Sequence, residues 1–185
     1  MPENARSELE LRGLEIRELA ADIVRVATAR GTTIAVAESL TGGDVVSALV
    51  GVPGASAVVR GAVVAYATDL KASLLGVDTT LLAVEGAVHP DVARQMAAGV
   101  RRACAAGARP AAIGISTTGV AGPDPQDGRP VGLVYVGVSL GQLPPAGAGP
   151  ESHAVEHVIP GGRALVRAGA VHAALSALKE ALGAF

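Results

Sequence analysis

Four short apolar runs punctuate the chain, with amphipathic stretches between them. Thr33–Ala37, Val58–Tyr66, Ala111–Thr117 and Val131–Leu140 are rich in β-branched residues and almost free of charge, the pattern of strands buried on both faces. Gly61 within the second run marks a bulge or a close backbone approach. Ser152–Ile159 alternates more openly and fits a strand nearer a sheet edge. Residues 7–30 carry a helical stripe of Ile16, Leu19, Ala20, Ile23 and Ala27, with Gly31 as a stop. A helix follows Gly43 to about Val50, and Thr68–Leu75 forms a short helix with Asp69 in its first turn. Asp78 opens another helical turn. Pro90 opens a helix to about Ala106 with Val92, Met96, Val100 and Ala103 on one face. Gly161–Leu182 closes the chain with Leu165, Ala168, Val171, Leu175, Leu178 and Leu182 in register. Thr118–Gly128 reads as a loop and 142–150 as a flexible connection. Strands alternating with helices predict one three-layer α/β/α domain over residues 1–185, with a mixed or mostly parallel sheet. Residues 1–6 read as a disordered tail.

Composition narrows the function. Half of the 185 residues are apolar, 17% are charged and the net charge is −2, so the chain folds around a core and offers no basic surplus to nucleic acid or an anionic membrane. Two tyrosines and one phenylalanine cannot build a stacking platform for a strand of bases. One cysteine, Cys104, excludes an internal disulfide framework and a cysteine-based zinc site. No uncharged apolar run is long enough to span a membrane, and the polar, acidic start (Met-Pro-Glu-Asn) is the reverse of a signal peptide, so a cytoplasmic address is expected. His153 and His157 share one strand face and are not a helical ligand pair; no metal and no cofactor are expected. The 15 basic residues include two lysines, Lys71 and Lys179. In a chain that otherwise uses arginine, a retained lysine can do what arginine cannot, which is to give up its proton.

Chemistry concentrates where strands end. Glu38-Ser39-Leu40-Thr41-Gly42-Gly43 joins a buried strand to a helix. Unpaired amides at a helix start can hold a phosphate, stabilise an oxyanion beside a serine nucleophile, or simply be capped by Ser39 or Thr41. Tyr66 ends the next strand, and Lys71 lies five residues on, after a turn that can return both to the same end of the sheet. Serine needs a base, and a lysine whose pKa is lowered by burial can supply one. Ser116 to Pro123, including Thr118 and Gly119, would line a pocket beyond the third strand. Pro160-Gly161-Gly162-Arg163 opens the last helix with a cation suited to an anionic group.

Taken together and in order, these motifs resemble the CinA C-terminal domain family, whose stand-alone members include nicotinamide mononucleotide amidases. The family's Ala-Glu-Ser-x-Thr-Gly-Gly is matched by Ala37 to Gly43. Its Tyr-x-x-x-x-Lys and Leu-Leu-Gly-Val are matched by Tyr66, Lys71 and Leu74 to Val77. Gly86-Ala87-Val88-His89 stands for Gly-Ala-Val-Ser, Thr118 to Pro123 for Thr-Gly-Ile-Ala-Gly-Pro, and Arg129-Pro130-Val131-Gly132 for Lys-Pro-Val-Gly. The likeness spans roughly residues 15–182. It implies an amidohydrolase of pyridine-nucleotide salvage, with Ser39, Tyr66 and Lys71 catalytic, with Thr41, Gly42, Gly43, Thr118, Gly119 and Arg163 at the substrate, and with neither metal nor cofactor.

Two departures stand out. Ile159-Pro160-Gly161-Gly162-Arg163 replaces Phe-x-Gly-Asp-Arg, so the arginine stays and the acid is lost. His89 replaces a small polar residue. The nucleotide-cleaving N-terminal domain of longer members is not matched, so its activity is not carried over. The expected partner is a small nucleotide substrate, with a homodimer possible. Two alternatives remain beside the amidase: a nucleotide-binding or regulatory module without catalysis, and an amidase of the same design acting on another substrate.

Overall fold

The structure, a computed structural model, describes residues 3–141 and 151–183. Five strands, β1 (Ile34–Glu38), β2 (Val59–Val64), β3 (Ile113–Gly119), β4 (Leu133–Leu140) and β5 (Ser152–Val158), form one sheet in the order β2-β1-β3-β4-β5. β1 is parallel to both β2 and β3, whereas β4 runs antiparallel to its two neighbours, β3 and β5. Helices α1 (Glu3–Arg30), α2 (Asp44–Val50) and α6 (Arg163–Leu182) bury one face, and α3 (Thr68–Leu75), α4 (Thr79–Glu85) and α5 (Pro90–Ala103) cover the other. This is the expected α/β/α architecture with a mixed sheet.

The apolar runs account for the layers. β1, β3 and β4 lie in the centre and are buried along nearly their whole length, as strands covered on both faces must be. β5 alternates between half-buried and exposed positions at the sheet edge. The pairing of β1 with β2 slips between Ile34/Val59 and Ala35/Gly61, which places a bulge at Gly61. α5 lies unusually close to the sheet: a Cβ at Gly114 would stand 2.1 Å from the Ala97 carbonyl oxygen, and one at Gly137 2.3 Å from that of Ala93.

Several boundaries differ from the sequence-based expectation. α1 begins at Glu3, so residues 3–6 are helical and not a tail; Ser7 donates to the Glu3 carbonyl within that turn. β3 extends to Gly119, and Thr118 and Gly119 pair with Tyr135 and Val134 of β4; they belong to a strand and not to the loop that follows. α5 stops at Ala103. The expected connection at 142–150 lies outside the described residues. No described helix is long and apolar enough to cross a membrane.

Candidate active site

The parallel strands carry Ser39, Tyr66 and Thr118 to one end of the sheet. Ser39 directly follows β1, and its amide donates to the Thr117 carbonyl at 3.0 Å. The Ala65 amide donates to the Glu38 carbonyl at 2.9 Å, which extends the β1–β2 pairing and holds the start of the 65–67 turn beside Ser39. α3 then folds back over that turn. Its two buried residues, Lys71 and Leu75, are one helical turn apart, so the lysine occupies the core-facing stripe that its spacing from Leu75 dictates. α3 is seated closely on α5: a Cβ at Gly99 would stand 1.9 Å from the Leu75 carbonyl oxygen. A side chain there would push α3, and Lys71 with it, off the site.

Lys71 is completely buried. Its Nζ lies 3.1 Å from Ser39 Oγ, 2.8 Å from the Ala65 carbonyl and 3.3 Å from the Tyr66 carbonyl. Burial pulls its pKa from 10.5 down to about 8, against the opposing pull of the Asp69 carboxylate. Three oxygen atoms surround the Nζ, and once the amine has lost its proton two N–H bonds can stay on the carbonyls while its lone pair turns to the serine hydroxyl. The second lysine, Lys179, has a different fate. It forms an exposed pair with Asp22 of α1 at 2.7 Å, a contact of the kind that contributes little.

The turn after Ser39 is held from both sides. Glu38, wholly buried, accepts from the Gly43 amide at 2.9 Å and the Val45 amide at 3.1 Å through one oxygen, and from the Val46 amide at 2.9 Å through the other. A carboxylate therefore fills the start of α2. On the outer side Arg167 of α6 donates to the carbonyls of Leu40 (3.0 Å) and Thr41 (2.8 Å) and reaches Asp44 Oδ2 at 2.6 Å. Gly42, at φ 66°, gives the turn a conformation that a side chain would strain, and its amide donates to the Ser39 carbonyl at 3.1 Å.

This arrangement sets Thr41, Gly42 and Gly43, three of the expected substrate-binding residues, apart from the cleft. The Gly42 and Gly43 amides are occupied, and Thr41 is wholly buried with its hydroxyl 2.8 Å from that of Thr117. None of the three lines the cleft beside Ser39, whereas Leu40 does. Among the described residues the Leu40 amide has no acceptor within the protein.

Ser39, Leu40, Tyr66, Lys71, Thr118 and Arg163 share that cleft with the small apolar side chains of Ala87, Val88, Val120 and Ala121 and with Gly119, Asp124 and Gln126. The Thr118 hydroxyl donates to the Ala87 carbonyl at 2.7 Å, tying β3 to the segment before α5. Arg163 donates to the Gly122 carbonyl at 2.8 Å and to the Tyr66 hydroxyl at 3.3 Å. The Tyr66 hydroxyl makes no hydrogen bond to Ser39 or Lys71. His89, at the site of the second departure, caps α5: its Nδ1 accepts from the Asp91 amide at 3.2 Å. His153 and His157 point to one face of β5, where burial lowers the His157 pKa.

Glu38 and Arg167 were missed by the sequence reading. A lone acid inside the apolar Ile34–Glu38 run is the signal for the first, because such a charge must find donors. For the second the signal is an arginine four residues after Arg163, on the same face of an alanine-rich helix.

The comparisons with known proteins bear on the family and the fold. The model of the CinA C-terminal domain matches residues 16–182. A CinA-like protein of Frankia casuarinae is 47% identical over 154 residues, which is 83% of this chain and 32% of that protein. A CinA-like protein of Gemmatimonas aurantiaca is 40% identical over 167 residues, 89% of this chain and 36% of its own length. The chain thus spans about a third of the length of these curated relatives. Among solved structures, the competence/damage inducible protein CihA from Agrobacterium tumefaciens superposes with a TM-score of 0.79 at 34% identity, covering 91% of this chain and 96% of that one. A competence or damage-inducible protein from Enterobacter asburiae gives a TM-score of 0.80 at 27% identity, covering 90% and 98%. With the motifs, the sheet order and the family model in agreement, the chain belongs to the CinA C-terminal domain family.

Proposed function

We propose that the protein is an amidohydrolase that converts nicotinamide mononucleotide to nicotinate mononucleotide and ammonia. The observation that carries this reading is the direct contact between a wholly buried Lys71 and Ser39 Oγ, at 3.1 Å. A lysine whose pKa burial lowers to about 8 supplies the free amine near neutral pH that a serine needs as its base.

In this mechanism Lys71 Nζ takes the Ser39 proton as Oγ attacks the carboxamide carbon. The Leu40 amide, next to the nucleophile and without an acceptor among the described residues, donates to the developing oxyanion. Oriented backbone donors of this kind are worth roughly 3–4 kcal/mol of barrier. The proton passes from Lys71 to the leaving nitrogen, the C–N bond breaks and ammonia departs from an acyl-serine. Lys71 then deprotonates a water that attacks the acyl carbon, and the acid and free Ser39 are released. Arg163, at the first turn of α6, faces the substrate phosphate.

The test is ammonia release from nicotinamide mononucleotide by the purified protein, with Ser39→Ala as control. Release by the wild type and none by the variant is the expected result. Binding of the nucleotide without product by the wild type would replace the reading with a non-catalytic nucleotide-binding module. Turnover of simple amides in preference to the nucleotide would reassign the substrate.

A further inference from the structure

Tyr66 is the residue whose surroundings fit its expected role least. Lys71 reaches Ser39 directly, which leaves no gap for a relay, and it touches Tyr66 only at the backbone carbonyl. The phenol oxygen lies at the other end of that side chain and accepts from Arg163, itself anchored on the Gly122 carbonyl. Lys71 is sealed from solvent, yet Tyr66 is 62% exposed while still lining the cleft. A large ring left this open, with its tip tethered, is a prepared binding face. The other apolar lining side chains are aliphatic (Leu40, Ala87, Val88, Val120, Ala121), so Tyr66 supplies the one aromatic surface in the cleft.

We infer that Tyr66 stacks on the ring of the substrate and restricts the site to flat aromatic carboxamides, cationic pyridinium amides above all, and that it carries no proton in the reaction. An electron-rich phenol face attracts a planar cation both by stacking and by its quadrupole. The inference rests on the hydrolytic reading above and deepens it. Arg163 contributes twice, by holding the ring in place and by offering its remaining N–H groups to the anionic end of the substrate.

Two measurements decide it. The first is steady-state ammonia release from nicotinamide mononucleotide across pH 6–10 for the wild type and Tyr66→Phe. Loss of the tether should raise KM by roughly 2- to 10-fold, with kcat within about threefold and the rising limb of the pH profile unmoved. A fall in kcat of roughly 100-fold or more, with a displaced limb, is the signature of a proton carrier and would overturn the inference. The second is calorimetric binding of the same nucleotide in the Ser39→Ala background. There Tyr66→Leu should weaken binding by roughly 5- to 150-fold, the worth of an aromatic stack, while Tyr66→Trp, which keeps a ring face, stays within a few-fold. Unchanged affinity in Tyr66→Leu overturns the inference, as does absence of nucleotide binding in Ser39→Ala itself. A wild type that binds but releases no ammonia sinks the hydrolytic reading alone, and the binding series still judges Tyr66.

Discussion

Two helices begin at the cleft, and they begin in opposite ways. α2 starts with its amides already engaged by the Glu38 carboxylate. α6 starts at Gly162, which provides no side-chain cap, and its first residue is the exposed Arg163. A helix start favours negative charge, and the two sites use that preference differently. At α2 the negative charge is built in, so the start is closed to ligands and serves to hold the Ser39 turn rigid. At α6 none is built in, so the open start and its arginine remain available to an anion from outside. The loss of the family's acid before Arg163 (Gly162 here) has a consequence in this light: it removes the one side chain that would have competed for that start. A glycine-rich strand-to-helix junction is therefore not by itself a phosphate site; what decides is whether a nearby carboxylate has taken the amides.

The largest effect expected from breaking the closed side is that of Ser39→Ala. It should lower ammonia release by at least ~1,000-fold while nucleotide affinity, measured calorimetrically, stays near wild type. Lys71→Arg should be comparably inactive, because a guanidinium stays protonated and is bulkier than the amine at this wholly buried position. Next comes Glu38→Gln, which puts an amide donor against backbone donors and should cost roughly 2–4 kcal/mol of stability in denaturant unfolding. An unfolding midpoint equal to wild type would show that the α2 amides find other partners. On the open side, Arg163→Ala should raise KM for the mononucleotide by roughly 10- to 100-fold and change kinetics on the dephosphorylated nucleoside far less. Equal losses on both substrates would assign Arg163 to the Tyr66 tether and not to the phosphate.

The smallest effects concern protons. With Lys71 at about 8, kcat/KM should rise with pH until the amine is free, levelling above about 8. Asp69→Asn removes the charge that favours the ammonium, so the limb should move to lower pH by a fraction of a unit. The same depressed pKa has a stability signature. Between about 8 and 10.5 the unfolded chain holds a proton on Lys71 that the folded chain has released, so this residue makes stability rise with pH across that window. Subtracting the curve of Lys71→Met from that of wild type should isolate the slope.

Much of this was readable in advance. The charge-poor runs at 33–37 and 111–117 had to be covered on both faces, and the alternation of 152–159 placed it at an edge. Together with the helical stripes they dictated three layers and brought Ser39, Tyr66 and Thr118 to strand ends. The boundaries at Gly119 and Glu3 were not readable. Thr118 and Gly119 have the composition of a loop, and it is pairing with Val134 and Tyr135 that keeps them extended.

The sequence by itself determined which residues form the layers and which chemical groups gather at one end of the sheet, because burial periodicity and strand direction are local properties. It also determined that the chain keeps a lysine at position 71 where its other cations are nearly all arginine. Only the tertiary structure decided how those groups are shared out. Glu38 takes the amides of Gly43, Val45 and Val46 at the start of α2, Lys71 is dry and meets Ser39, and the Tyr66 hydroxyl turns to Arg163. The last two rest on partners brought together by packing, 32 residues apart for Lys71 and Ser39 and 97 for Arg163 and Tyr66, whereas Glu38 meets amides only 5 to 8 residues on. A local pattern names a donor or an acceptor; which of several nearby partners it meets depends on how closely α3 and α6 approach the sheet.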